Sequence, residues 1–265
     1  MSPERRALAV AKLRAFGTHF ALSLAIFAAI IWVCVELWFP PPYFWIDGGW
    51  FAVRIAAVVD VIAGPLLTLI IYRPARRWMA ANLAVIAFVQ AAFLAWGVIV
   101  LERERPLLAV YIGKPAERFY PVTRELAAYG LSPIEEVLAL STERPSIVAV
   151  RLPEDPDKAR ELLQASLQGR SGVLRRTELF EPLAGEQLKK LLAAGRSHER
   201  IAGTWPIGNA NVERFLAERG KRFEDYALVP VHGRYYVGLL AFERASGRYA
   251  GALYTHDRLP TLYRY

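Results

Sequence analysis

The chain is poor in the residues from which catalytic and metal centres are built. It has one cysteine and four histidines in 265 residues. Cys34 stands alone inside an apolar run, which excludes an intrachain disulfide and a thiolate metal cluster. The histidines at 19, 198, 232 and 256 show no metal-ligand spacing, and HExxH, GxSxG and a phosphate-cradling glycine loop are all missing. Ser, His and Asp occur in the second half, as they do in most chains, but a triad is defined by geometry that spacing does not supply. The expectation is therefore no metal, no cofactor and no enzymatic activity. Charge is scarce as well over the first 101 residues, which carry 8 of the 33 Lys and Arg and 4 of the 25 Asp and Glu. The remaining 25 basic and 21 acidic residues alternate in sign rather than cluster, so the net charge of +8 is no nucleic-acid signature.

What fills the first part instead is apolar sequence. A bilayer core about 30 Å thick needs roughly 20 helical residues. Three stretches meet that length, and they predict transmembrane helices over residues 16–39, 50–72 and 78–101. Together they form a membrane domain, 1–101. The basic start (Arg5, Arg6, Lys12, Arg14) could head a signal peptide, but the apolar run is too long and lacks a small-residue cleavage site, so it reads as a retained anchor. Arg73, Arg76 and Arg77 make the second loop basic, whereas the first loop has no Lys or Arg. The positive-inside rule then predicts a cytoplasmic N-terminus and a periplasmic C-terminal domain, 102–265.

That domain reads as a small α+β or mixed α/β fold, with helices set apart from a terminal meander favouring α+β. Residues 106–113 and 146–153 are β-branched apolar runs bounded by Pro or Gly. Ser132-Pro133-Ile134-Glu135 resembles a capping box opening a helix through Leu138, and Asp155-Pro156 opens another, ended by Gly169. Two more helices carry Leu188, Leu191 and Leu192 up to Gly195, and Val212, Phe215 and Leu216 up to Gly220. Glycine-containing turns then predict a C-terminal antiparallel meander of three strands.

The second membrane passage carries the most informative side chains, Arg54 and Asp60. A charge at mid-bilayer costs about 2.5–3.5 kcal/mol on insertion scales, so it faces a partner or a cavity. Six residues set the two about 240° apart on a helix, too far round to pair. Arg54 can reach toward the loop and Asp47, while Asp60 needs a donor such as Asn82 or Gln90 of the third passage, or one on another protein. Packing glue, partner recognition and an ion or proton pathway all stay open for Asp60. Pro65 after Gly64 removes a helical hydrogen bond and bends the passage. The first loop, with Tyr43, Trp45, Asp47 and Trp50, reads as an aromatic interfacial hairpin.

Four motifs carry a resemblance. They are K-x-R-A-F-G-x-H from Lys12 to His19, P-x-P-Y-F-x-x-D-G-G-W from Pro40 to Trp50, V-D-V-I-A-G-P-L-L-T-L-I from Val59 to Ile70, and N-L-A-V-I-A-x-x-Q-x-x-x-L-A-W-G from Asn82 to Gly97. The chain resembles the type IV pilin accessory proteins over its three passages, and more loosely in L-V-P-V-H-G-R, Leu228 to Arg234. The resemblance implies an inner-membrane factor for type IV pilus biogenesis that binds and stabilises or chaperones the major pilin before assembly. It names the pilin and the bilayer as partners and leaves other assembly components open. Asp60, Arg54, Pro65, Asn82 and Gln90 become candidates for contact with the pilin helix, with Tyr43, Trp45, Asp47 and Trp50 as candidate loop contacts. Two other classes are open: a membrane-anchored sensor, for which the cytoplasmic parts are small, and a pilin-modifying enzyme, which needs an acid, base or nucleophile cluster in the second half.

Overall fold

The computed structural model describes residues 2–74, 76–114, 116–153, 155–167, 172–195 and 209–258. The chain divides into two compact units, Met1–Leu37 with Gly49–Glu102, and Trp38–Gly48 with Arg103–Tyr265. The loop that sequence had grouped with the membrane helices thus belongs to the second unit.

The first unit is helical. Helix α1 (Pro3–Val33) starts at Ser2, whose Oγ accepts from the Arg5 N–H at 3.5 Å, and continues into a π-helical turn, Cys34–Trp38. The second passage is α3 (Gly49–Ala56), a π-helical stretch (Ala57–Ala63) and α4 (Gly64–Ile71) in succession. Pro65, near the start of α4, has no N–H to give the preceding turn, and the wider π geometry immediately upstream is how the helix accommodates it. The third passage is α5 (Met79–Glu104). Pro3–Trp38, Gly49–Ile71 and Met79–Glu104 are each long and apolar enough to cross a membrane. Large side chains such as Phe51, Ile70, Phe88 and Trp96 stand exposed along them, an outer surface suited to lipid rather than water.

The second unit is a mixed helix and sheet domain. Its strands are β1 (Pro106–Ile112), β2 (Arg118–Thr123), β3 (Ser146–Val150), β4 (Phe180–Pro182), β5 (Tyr226–His232), β6 (Tyr236–Glu243) and β7 (Tyr249–Arg258). They form one sheet in the order β4-β3-β1-β2-β5-β6-β7. β1 runs parallel to β3 and antiparallel to β2, and β5-β6-β7 is the antiparallel meander expected from the turns. A parallel bridge at Phe119 and Val231 joins the two halves.

Both faces are covered, which is why β1 and β3 are almost continuously apolar. Leu108, Val110, Ile112, Val148 and Val150 pack with Ala127 of α6 (Arg124–Ala127), Val137 of α7 (Ile134–Leu138) and Leu162 of α8 (Pro156–Leu167). On the same side of the other half, Leu228, Leu239 and Leu253 meet Phe215 of α10 (Asn209–Ala217). The opposite face carries Ala109, Tyr111, Phe119, Val229, Val231, Leu240 and Phe242 under Leu191 of α9 (Gly185–Ala194). Helices intervene between paired strands, and parallel pairs sit inside the sheet, which makes this the mixed α/β form of the expected domain.

Several local expectations need correction. The strands β2 and β4 went unrecognised. β2 is interrupted by Pro121, yet the proline is tolerated because it pairs only toward β1 (Ala109), beyond the single bridge to β5. Ser132 does not cap α7. Pro133 occupies that position without a side-chain cap, and Ser132 instead exchanges main-chain hydrogen bonds with the buried Thr177 hydroxyl, at 2.9 and 3.1 Å. Asp155 does cap α8, accepting from the Asp157 N–H at 2.9 Å, and Gly195 ends α9. Gly169 lies outside the described residues.

Candidate functional site

In the helical unit, three of the four motifs converge. His19 on α1 reaches the Thr68 hydroxyl on α4, Nδ1 to Oγ1 2.7 Å, and that hydroxyl donates back to the Gly64 carbonyl at 3.4 Å. Lys12 donates to the Ile70 carbonyl at 3.1 Å, satisfying an orphan acceptor at the end of α4. Gln90 of α5 donates its Nε2 to the main-chain carbonyl of Asp60 at 3.4 Å. A Cβ on Gly64 would run into the Gln90 side-chain amide, so the present position of Gln90 relies on glycine there.

These residues border a cleft of about 160 Å³ lined by His19, Ser23, Asp60 and Gln90 among apolar side chains from α1 and α5. Asp60 Oδ1 and Gln90 Oε1 are buried and have no hydrogen-bond partner among the described residues. The Gln90 assignment is set by its neighbour, since Nε2 must face the Asp60 carbonyl and Oε1 is then the acceptor left over. Leaving such groups unpaired costs about 1–3 kcal/mol each, more where charged. Sequence named Gln90 as a donor to Asp60, and the donation goes to the Asp60 backbone while the carboxylate stays open. Pro65 is buried beside this cluster. Arg54 and Asn82 are exposed and do not line the cleft.

In the second unit, the loop residues form a different cluster. Helix α2 (Tyr43–Ile46) inserts Tyr43, 2% exposed, and Ile46, fully buried, into the sheet core beside Val229, Val231 and Leu240. The interfacial hairpin expectation is thus overturned for these side chains. Ile46 accepts from the Tyr235 N–H at 2.9 Å, and Asp47 Oδ1 accepts from the Arg234 N–H at 2.9 Å, so the β5–β6 turn clasps the loop. Trp45 packs on the Tyr236 ring at 6.1 Å between centroids. Glycine permits the approach: a Cβ on Gly233 would lie 2.7 Å from the Ile46 carbonyl carbon, and Gly48, at φ +81°, would set one 2.5 Å from the Tyr235 ring. Arg234 also donates to Glu104 at 2.8 Å, so the turn that holds Asp47 holds Glu104 as well. Burial raises the Asp47 carboxyl to about 6, opposed by the Arg234 hydrogen bond and charge and reinforced by Glu104. Burial also pushes the Tyr43 phenol well up. Trp50 is exposed and falls in the helical unit.

Sequence reasoning passed over His19 in the cleft, Gly64 and Thr68 bonded or packed to its lining residues, and Glu104, Gly233, Arg234 and Tyr235 in the clasp. The signal was there in the motifs: His19, Asp60, Gly64, Thr68 and Gln90 are motif letters that meet, and so are Asp47 and Arg234. Among the described residues no three His, Cys, Asp or Glu side chains gather into a metal-binding group.

These features define a class of protein with three potential membrane spans and a mixed sheet domain into which the first inter-helix loop is folded. No protein-family profile matches the chain, and no solved structure does. It is similar to the "Fimbrial assembly protein, serogroups C1 and C2" of Dichelobacter nodosus, 31% identical over 97 residues, or 36% of this chain and 74% of that one. The serogroup I and serogroup E1 fimbrial assembly proteins of the same organism are 31% and 30% identical over 97 residues, and there the matched region spans 38% of their length. The chain belongs to the fimbrial assembly protein family.

Proposed function

We propose that the protein is an inner-membrane accessory factor of type IV pilus biogenesis that binds the major pilin and stabilises or chaperones it before assembly. Its N-terminus lies in the cytoplasm and its sheet domain in the periplasm, the orientation favoured by Arg73, Arg76 and Arg77 in the second loop. Kinship with fimbrial assembly proteins supports the process. The observation that carries the binding role is the open carboxylate of Asp60 in a cleft at membrane depth, a group too costly to keep there without something to receive. A subunit held in the bilayer by one apolar helix, with a folded head outside, needs contacts at both levels, and the two units offer them. No catalytic step is assigned.

The test is deletion in the native host. Surface pili and the membrane pool of pilin fall while pilin synthesis, followed by pulse labelling, is unchanged, and the full chain restores both. Normal piliation in the deletion strain refutes the role. An alkaline phosphatase fused after residue 265 is active under the proposed orientation, and an inactive fusion at normal protein level reverses it.

A further inference from the structure

We infer that the intramembrane cleft receives a protonated amine carried by the partner helix, held by Asp60 Oδ1 and Gln90 Oε1. The inference rests on the pilin-holding reading and adds the chemistry of the contact. Two acceptors of the cleft are reached by no donor among the described residues. Gln90 has given an N–H to the Asp60 carbonyl, Lys12 has given its ammonium to the Ile70 carbonyl, and the Thr68 hydroxyl is engaged with His19 and Gly64. Two acceptors, one of them on a carboxylate, remain buried without partners among the described residues. A ligand that satisfies both must bring hydrogen-bond donors, and a positive charge on them, as on a protonated amine, complements Asp60.

The arrangement favours an ammonium over a guanidinium. A guanidinium fork matches two oxygens of one carboxylate side by side, whereas the two buried acceptors without partners here, Asp60 Oδ1 and Gln90 Oε1, belong to residues of different helical passages, which suits the radiating donors of a compact –NH₃⁺. A cleft of about 160 Å³ holds an amine on a short alkyl stem but not a second helix, so the rest of the occupant lies outside it. Leu22, Ile26, Phe27 and Leu94 on the cleft wall suit an apolar stem. The occupant is therefore a lipid-embedded helix with an amine on the face turned to this unit.

The test is photo-crosslinking from position 87, on the cleft wall, with the full chain in native membranes. Wild type and Asp60→Glu, which keep the charge, yield the pilin adduct, while Asp60→Asn at equal protein level loses it about tenfold, the loss expected for a hydrogen bond to a charged group. Dodecylammonium below its lytic concentration suppresses the adduct, whereas dodecyltrimethylammonium, with the same charge and chain but no N–H, does not. Equal adduct in all three proteins, or equal suppression by both amphiphiles, overturns the amine inference and leaves the holding role standing. Absence of any pilin adduct from the wild type overturns the holding role itself.

Discussion

Docking of the first loop on the sheet domain weakens as pH rises from 4 to 7, and Asp47→Asn removes that dependence. Asp47 is drawn out of water when the loop docks, and its carboxyl rises from an ordinary 3.8 to about 6. The docked state therefore binds the proton more tightly than the undocked one. Stability is fully present below about pH 4, is lost as pH climbs through the docked value, and is level again above it. At 1.36 kcal/mol per pH unit the full span is about 3 kcal/mol, and between pH 5 and 7.5 it is about 1.4 kcal/mol, a tenfold change in opening. The Arg234 N–H bond survives protonation, because the carboxyl oxygen still accepts, and an asparagine oxygen does the same without a charge to bury. The assay is amide hydrogen exchange at Arg234 and Tyr235, whose N–H groups are held by Asp47 and Ile46, with the full chain in lipid nanodiscs. After correction for intrinsic exchange, wild-type protection drops about tenfold from pH 5 to 7.5 and Asp47→Asn stays flat. A flat wild type, or the same slope in the variant, refutes the reasoning.

Two further outcomes follow from packing. Gly64→Ala drives a methyl into Gln90 and destabilises the helical unit by about 1–3 kcal/mol, and a double-mutant cycle with Gln90→Ala abolishes most of that cost; an additive cycle refutes the contact. Residues 103–265 produced alone lose the buried Tyr43 and Ile46, worth about 1.5–3 kcal/mol each, so the isolated domain melts earlier, and a peptide of residues 38–48 added in trans raises its Tm; no shift refutes the role of the loop in the core.

The apolar runs, the Gly195 and Gly220 stops and the terminal meander were legible because each rests on local periodicity or a turn residue. β2 and β4 were not, since a proline inside the six residues of β2 and the three-residue length of β4 hide strands whose pairing partners lie elsewhere in the chain. The loop failed for a similar reason. Its aromatics fit both a membrane interface and a protein core, and composition cannot choose between them. Long-range partners decide, and Tyr235 and Arg234 lie far along the chain from Ile46 and Asp47.

The same separation explains why the motifs looked like isolated signatures. Each holds residues that are ordinary within their own helix or loop and gain meaning only across it. Gly64 is a poor helix residue until Gln90 packs on it, and Asp47 is an unremarked loop acid until the Arg234 amide reaches it. A pair of motifs bound in this way constrains both members at once: enlarging Gly233 displaces Ile46, and removing Ile46 empties the core beneath β5 and β6. Asp60 breaks the pattern. Its backbone is matched by Gln90, while its buried Oδ1 has no partner among the described residues, so the complement proposed for that group lies on another molecule.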